Sequence, residues 1–153
     1  MKRELVKNWM TRDVVTVTVD TPLPEAHRLM TDRKIRRLPV IAKGRLAGII
    51  TLGDVREAEP SGATSLNIWE MNYLLAKLKV EAVMSPNPLT ISPYATISEA
   101  AWAMLEYKVS GLPVVDESGH LVGIITESDI FRLVVQEWEK METAANTADL
   151  VNN

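Results

Sequence analysis

The sequence has 153 residues, 46% hydrophobic and 24% charged, with a formal net charge of −3, which allows one domain or two small ones with a real core and argues against a general nucleic-acid or anionic-membrane surface. The absence of cysteine excludes disulfides, thiolate metal sites and a cysteine nucleophile. No apolar run approaches roughly 18 residues, and Met1-Lys2-Arg3-Glu4-Leu5 lacks the apolar core of a signal peptide, so a cytoplasmic protein is expected.

In chain order, residues 14–19 form a short β-rich run. Thr21-Pro22-Leu23-Pro24-Glu25 then reads as a helix start, with early proline tolerated and an acid near the positive helix end. Leu23, Ala26 and Met30 form the apolar face of that helix, with His27 at its edge. Residues 38–42 and the run ending at Ile50 read as two strands across a Lys43-Gly44 turn, a hairpin. At the end of the second strand, Gly48-Ile49-Ile50-Thr51 leads to Asp54, so Thr51 is placed to cap a helix whose first turn holds the aspartate.

Residues 57–64 (Glu-Ala-Glu-Pro-Ser-Gly-Ala-Thr) have linker composition. Residues 65–79 read as an amphipathic helix with Ile68, Met71, Leu75 and Leu78 on one stripe. The earlier pattern then returns. A β-rich run at 88–91 precedes a helix starting at Ala95-Thr96-Ile97-Ser98-Glu99, whose Ile97, Ala100, Ala101, Met104 and Leu105 share a face. Strand 112–115, a turn at Glu117-Ser118-Gly119 and Gly123-Ile124-Ile125-Thr126 with Asp129 follow. After Trp138 the chain turns polar, and residues 141–153 read as a flexible tail, frayed from Thr143 on.

Laying residue 80 on residue 6, with one extra residue near Ser118, gives about 17 identities over roughly 53 positions. The chain is therefore two copies of a β-α-β-β-α unit, an α/β fold of the α+β type. A sheet this small has one uncovered face, so the two copies are expected to pack through their sheets with pseudo-twofold symmetry. The expected layout is repeat 1 at 1–58, a linker with an amphipathic helix at 59–79, repeat 2 at 80–140 and the tail.

The paired Met10-Thr11 and Met84-Ser85, the twin Leu-Pro-Val strands (Leu38-Pro39-Val40, Leu112-Pro113-Val114) and both Gly-Ile-Ile-Thr-x-x-Asp ends resemble a tandem CBS-domain pair, the Bateman module. The resemblance covers about residues 5–137. Ala63-Thr64-Ser65-Leu66 and Trp69-Glu70-Met71-Asn72-Tyr73-Leu74-Leu75 are similar to stand-alone bacterial CBS-pair proteins of the acetoin-utilisation-like type, some of which carry a further C-terminal ACT domain. The resemblance implies a regulatory module that binds AMP, ADP or ATP, with S-adenosylmethionine or NAD as further candidates, in two clefts between repeats. It implies a homodimer and an effector protein of unknown identity, while the net charge of −3 argues against nucleic acid or membrane as partner.

In that family each cleft joins Thr-x-x-Asp of one repeat to the first strand and pre-Leu-Pro loop of the other. One cleft would then combine Thr126 and Asp129 with Thr11, Val15, Thr16, Arg36, Arg37 and Leu38. The other would combine Thr51 and Asp54 with Ser85, Leu89, Thr90, Ser110 and Gly111, with Lys108 the nearest base. The residues fit this chemistry on their own terms. A carboxylate can accept ribose hydroxyls, and helix N-terminal N–H groups suit a phosphate. Arginine offers phosphate a planar fork, so the Arg36-Arg37 cleft is expected to be the better nucleotide site.

Each Thr-x-x-Asp is equally a plain helix cap, and a structural dimerisation module with degenerate, ligand-free sites is the alternative function. Two unclustered histidines, His27 and His120, make no metal motif. Trp9, Trp69, Trp102 and Trp138 read as packing or dimer-surface residues. Without a Ser-His-Asp order, nucleophile elbow or paired-carboxylate spacing, no enzyme and no catalytic cofactor is expected.

Overall fold

The structure, a computed structural model, describes residues 3–59 and 67–151. Most of the expected linker, including the Ala63-Thr64-Ser65-Leu66 motif, lies outside the described residues. The elements run α1 (Val6–Trp9), β1 (Val17–Thr18), α2 (Leu23–Arg33), β2 (Arg37–Ala42), β3 (Arg45–Thr51), α3 (Leu52–Ala58), α4 (Ile68–Lys77), α5 (Val80–Val83), β4 (Ser85–Pro86), α6 (Ile97–Tyr107), β5 (Gly111–Val115), β6 (Leu121–Thr126) and α7 (Glu127–Val151). The β-α-β-β-α order expected of each repeat is present in the first, in a mixed α/β fold; in the second, the run read as β-rich at 88–91 forms only a single bridge at Ile91, so the strand expected before α6 is not made.

Two compact units divide the chain, and neither is a continuous segment. The first-repeat unit combines Asp13–Leu89 with Glu117–Leu121; the second-repeat unit combines the chain up to Arg12 with Thr90–Asp116 and the chain from Val122.

In the first-repeat unit β1, β2, β3 and β4 lie in that order in one sheet. β1 runs parallel to β2, while β2–β3 and β3–β4 are antiparallel. Lys43 (φ 52°) and Gly44 (φ 76°) turn the β2–β3 hairpin. Two positive φ values at a two-residue turn match the right-handed strand twist, and glycine adopts one of them at no steric cost. The core takes Leu23, Ala26 and Met30 from α2, at the spacing that aligns one helix face. It adds Val17, Leu38, Val40, Ile50, Val55 and Val80.

The second-repeat unit repeats this with the matching residues. Ile97, Ala100 and Met104 of α6 pack with Leu112, Val114, Ile125 and Leu133, and Val6 and Met10 close the core. β5 and β6 form its sheet, with Ile91 bridged in parallel to Val114 and Thr11 bridged antiparallel to Ile124.

Val6 and Val80 occupy equivalent places. The Val80 N–H donates to the Thr21 carbonyl (2.9 Å) and the Val6 N–H to that of Ala95 (2.8 Å). Leu23 N–H donates to Leu78 O, and Ile97 N–H to Glu4 O, each at 2.9 Å. Each unit is therefore finished by a short segment that precedes the other repeat in sequence.

Three local expectations are corrected. α3 continues to Ala58, past the linker start read at Glu57, because Glu57 and Ala58 are good helix formers. Leu75 of α4 and Leu78, the residue that ends it, pack against the core, but Ile68, at the head of the expected apolar stripe, is exposed. The frayed tail read from Thr143 is helical through Val151. There Thr143 and Thr147 donate their hydroxyls to the carbonyls of Glu139 and Thr143, both at 2.9 Å, the four-residue back-bond that threonine makes inside a helix.

Candidate functional site

Both Gly-Ile-Ile-Thr strands run directly into a helix. In the first-repeat unit Thr51 is the N-cap of α3 and forms a full capping box with Asp54. Its hydroxyl accepts from the Asp54 N–H (3.1 Å), and its own N–H donates to Asp54 Oδ2 (2.9 Å). That arrangement satisfies two of the helix's orphan donors and fixes the carboxylate at the sheet edge.

The second-repeat junction differs. The Thr126 N–H again donates to the aspartate, at 2.9 Å to Asp129 Oδ2, but the Thr126 hydroxyl donates to the same oxygen at 3.2 Å. Arg132, one turn on, donates from Nη1 to Asp129 Oδ1 at 2.8 Å. Asp129 is 5% exposed, the one charged side chain buried among the described residues. A hidden carboxylate requires such partners.

The segment between α2 and β2 meets the same corner. The Leu52 N–H donates to Arg36 O (2.8 Å), and Arg37 is paired across the ladder with Thr51. Equivalently, the Glu127 N–H donates to Ser110 O (3.1 Å). On the other flank, the Met-Thr/Ser segments add to the strand edges. Ser85 pairs with Ile49 in the first-repeat unit, and Thr11 pairs with Ile124 in the second.

Glycine is required at Gly48 and Gly123. A Cβ on Gly48 would meet Ser85 O and Met84 Sδ at 2.7 Å, and one on Gly123 would meet Thr11 O at 2.8 Å and Met10 Sδ at 2.5 Å.

The first-repeat unit thus brings together Thr51, Asp54, Ser85, Arg36 and Arg37, and also carries Val15, Thr16, Leu38 and Leu89. The second holds Thr11, Thr126, Asp129, Thr90, Ser110 and Gly111. Each unit carries members of both sequence-predicted sets. Leu38 is a correction at the level of the side chain: it is fully buried in the core, so only its backbone can meet a ligand. Val15 also packs against that core, while Thr11, Thr16, Arg36, Ser85, Leu89 and Thr90 are exposed.

Lys108 caps the C-terminus of α6 in the left-handed conformation (φ 55°), as Lys34 does for α2 (φ 54°). Arg132 was missed by the motif reading, which ends at Asp129. The available signal was the mismatch in the repeat alignment, where Arg132 falls opposite Glu57.

Among the described residues no cluster of three metal-ligating side chains occurs, and no helix is long and apolar enough to cross a membrane. An open pocket of about 400 Å³ lies between α2, α3 and α4, lined by Leu23, His27, Val55, Glu59, Asn72 and Leu75 among others. It contains none of the sequence-predicted site residues.

The fold has known counterparts. A CBS domain-containing protein of Dictyostelium discoideum is 38% identical over 136 residues, covering 88% of this chain and 94% of that protein. An inosine-5′-monophosphate dehydrogenase of Korarchaeum cryptofilum is also 38% identical, over 125 residues, but this chain spans only 23% of its length.

Among solved structures, a Vibrio cholerae protein described as an acetoin utilization protein (AcuB) superposes with TM-score 0.76 at 29% identity, covering 92% of this chain and 97% of that one. A CBS domain pair in complex with 5′-methylthioadenosine and S-adenosyl-L-methionine matches with TM-score 0.73 at 29% identity, over 88% and 98% of the two chains. CBSX2 of Arabidopsis thaliana in complex with AMP matches with TM-score 0.72 at 29% identity, over 87% and 97%. The CBS domain family model matches residues 6–61 and again 80–136. With both repeats matched over most of the sequence, the chain belongs to the CBS domain family as a tandem pair, similar to the stand-alone acetoin-utilisation-like members.

Proposed function

We propose that this CBS pair is a regulatory module that binds adenosine-containing ligands (AMP, ADP, ATP, S-adenosylmethionine or NAD) at sites built on its two Thr-x-x-Asp junctions, and that it performs no catalysis. The observation that carries the reading is the pair of junctions. In both units an aspartate is held at the first turn of a helix beside a threonine hydroxyl. Oriented carboxylate, hydroxyl and helix N-terminal N–H groups form a set suited to a ribose and its phosphate. Further support comes from two relatives of the same fold solved with AMP and with S-adenosyl-L-methionine and 5′-methylthioadenosine.

In this reading Thr126, Asp129, Thr11, Val15, Thr16, Arg36, Arg37 and the Leu38 backbone serve one ligand. Thr51, Asp54, Ser85, Leu89, Thr90, Ser110 and Gly111 serve the other. The set with Arg36 and Arg37 is the better nucleotide site in this reading, since a guanidinium offers phosphate a planar fork of donors. A homodimer is the proposed assembly, and an effector protein reads its state.

Thermal melting with AMP, ADP, ATP, S-adenosylmethionine and NAD tests this. A ligand that binds only the folded state adds about 2.7 kcal/mol of stability at 100 Kd. AMP is expected to raise the melting temperature, and Asp129→Ala to abolish the rise. No shift with any of the five would favour a structural dimerisation module with degenerate sites.

A further inference from the structure

Resting on the nucleotide-binding reading above, we propose that Arg132 is a specificity-determining residue that biases the Asp129 site toward adenosyl ligands carrying negative charge. The argument begins with the acceptor capacity of the two aspartates. An ionised carboxylate offers about four lone-pair positions. On Asp129, Oδ2 receives both the N–H and the hydroxyl of Thr126, and Oδ1 receives Arg132. About one position is left. On Asp54, among the described residues, Oδ2 receives only the Thr51 N–H, because the Thr51 hydroxyl is turned to accept from the Asp54 N–H. About three positions are left, enough for both hydroxyls of a ribose.

Charge separates the two aspartates further. Arg132 is bonded to Asp129 at 2.8 Å, and 60% of its side chain is exposed beside a carboxylate that is 7% exposed. One N–H of the guanidinium is spent on Asp129, and the rest of the five-donor fork remains for other acceptors. The pair is close to neutral and presents donors to an incoming anion. A lone buried carboxylate would repel that anion. In the first repeat the matching position is Glu57, so Asp54 has a second acid one turn on where Asp129 has a base. With Arg132 beside its aspartate, the Asp129 site favours a 5′-phosphate over a neutral 5′ group.

The test is calorimetric titration of the full chain with AMP and with 5′-methylthioadenosine, two probes that share the nucleoside and differ in 5′ charge. Arg132→Gln is expected to weaken AMP about tenfold, the scale of one charge-assisted hydrogen bond, with little change for 5′-methylthioadenosine. Arg132→Lys should keep most of the AMP preference. The exposed head of Arg132 allows both variants to fold, and their melting temperatures without ligand check this. Wild-type binding to both probes, with a ratio that Arg132→Gln leaves unchanged, would overturn the role of Arg132 alone. Wild-type binding to neither probe would overturn the nucleotide reading and the role of Arg132 with it.

Discussion

Thr11 and Ile124 exchange both backbone hydrogen bonds, N–H to carbonyl at 2.9 Å in one direction and 3.0 Å in the other. The contact ties the segment that follows α1 to the strand that ends in Thr126. Gly123 permits it, since a methyl group there would lie 2.8 Å from Thr11 O. Backbone cannot retreat as a flexible side chain can. Gly123→Ala is therefore expected to cost about 1–3 kcal/mol, the usual penalty of forcing volume into a packed site. Urea denaturation measures it, and a variant as stable as the parent would contradict the close approach. Because Thr11 belongs to the proposed site, the same variant should also weaken AMP.

The two threonines of the repeated motif are expected to respond differently to the same substitution. Thr51→Val removes the acceptor that caps α3 and leaves the Asp54 N–H unmatched, at a cost of about 1 kcal/mol. In Thr126→Val the lost group is a donor to a carboxylate that keeps the Thr126 N–H and Arg132. The smaller loss of stability is expected there, together with one additional open position on Asp129. Equal destabilisation of the two variants would mean that the hydroxyls play the same part.

Much of this was legible in the sequence because repetition supplied a second copy of each signal. Leu23, Ala26 and Met30 form a weak helical stripe alone, yet aligned with Ile97, Ala100 and Met104 they mark one core face twice. The exchange of end segments was not legible. Val6 and Val80 have the same pattern around them, and nothing local says that each completes the unit of the other repeat. The helical end of α7 escaped for a similar reason. Its alanines and threonines bury nothing, so no apolar periodicity marks it, and propensity with main-chain bonding carries the helix. Arg132 lay one turn beyond a motif that reads as complete at Asp129.

Lys108 was a candidate phosphate ligand because it is the base nearest the second site in sequence. Its backbone has another role, ending α6 in the left-handed region (φ 55°), where its N–H donates to Met104 O. A side chain bearing a Cβ is strained there by about 1–2 kcal/mol, and glycine returns part of that gain through unfolded-state entropy. Lys108→Gly should thus raise stability by up to ~1 kcal/mol in urea denaturation while leaving AMP binding at the Asp129 site unchanged. A loss of stability would show that the lysine side chain is needed where it stands.

Homodimerisation, proposed from the family likeness, has a physical counterpart on the second-repeat unit. α6 exposes Leu105 (81%) and Trp102 (60%), and α7 exposes Phe131 (64%) and Trp138 (61%). Exposed large apolar side chains of this kind are candidates for an interaction surface, and a second copy of the chain is the commonest partner of a soluble protein. Trp102 is held in an edge-on contact with Tyr107, ring centroids 6.3 Å apart, so part of its conformational freedom is already lost before any partner arrives. We expect sedimentation velocity to give a dimer, and Leu105→Glu to shift it toward monomer by burying an unpaired charge. The fold should survive, because Leu105 contributes nothing to the core of its own unit. A parent protein that is monomeric at every concentration tested would remove the dimer from the proposal. A Leu105→Glu variant that remains dimeric would move the interface elsewhere, with the exposed α4 residues Trp69 and Tyr73 the next to substitute.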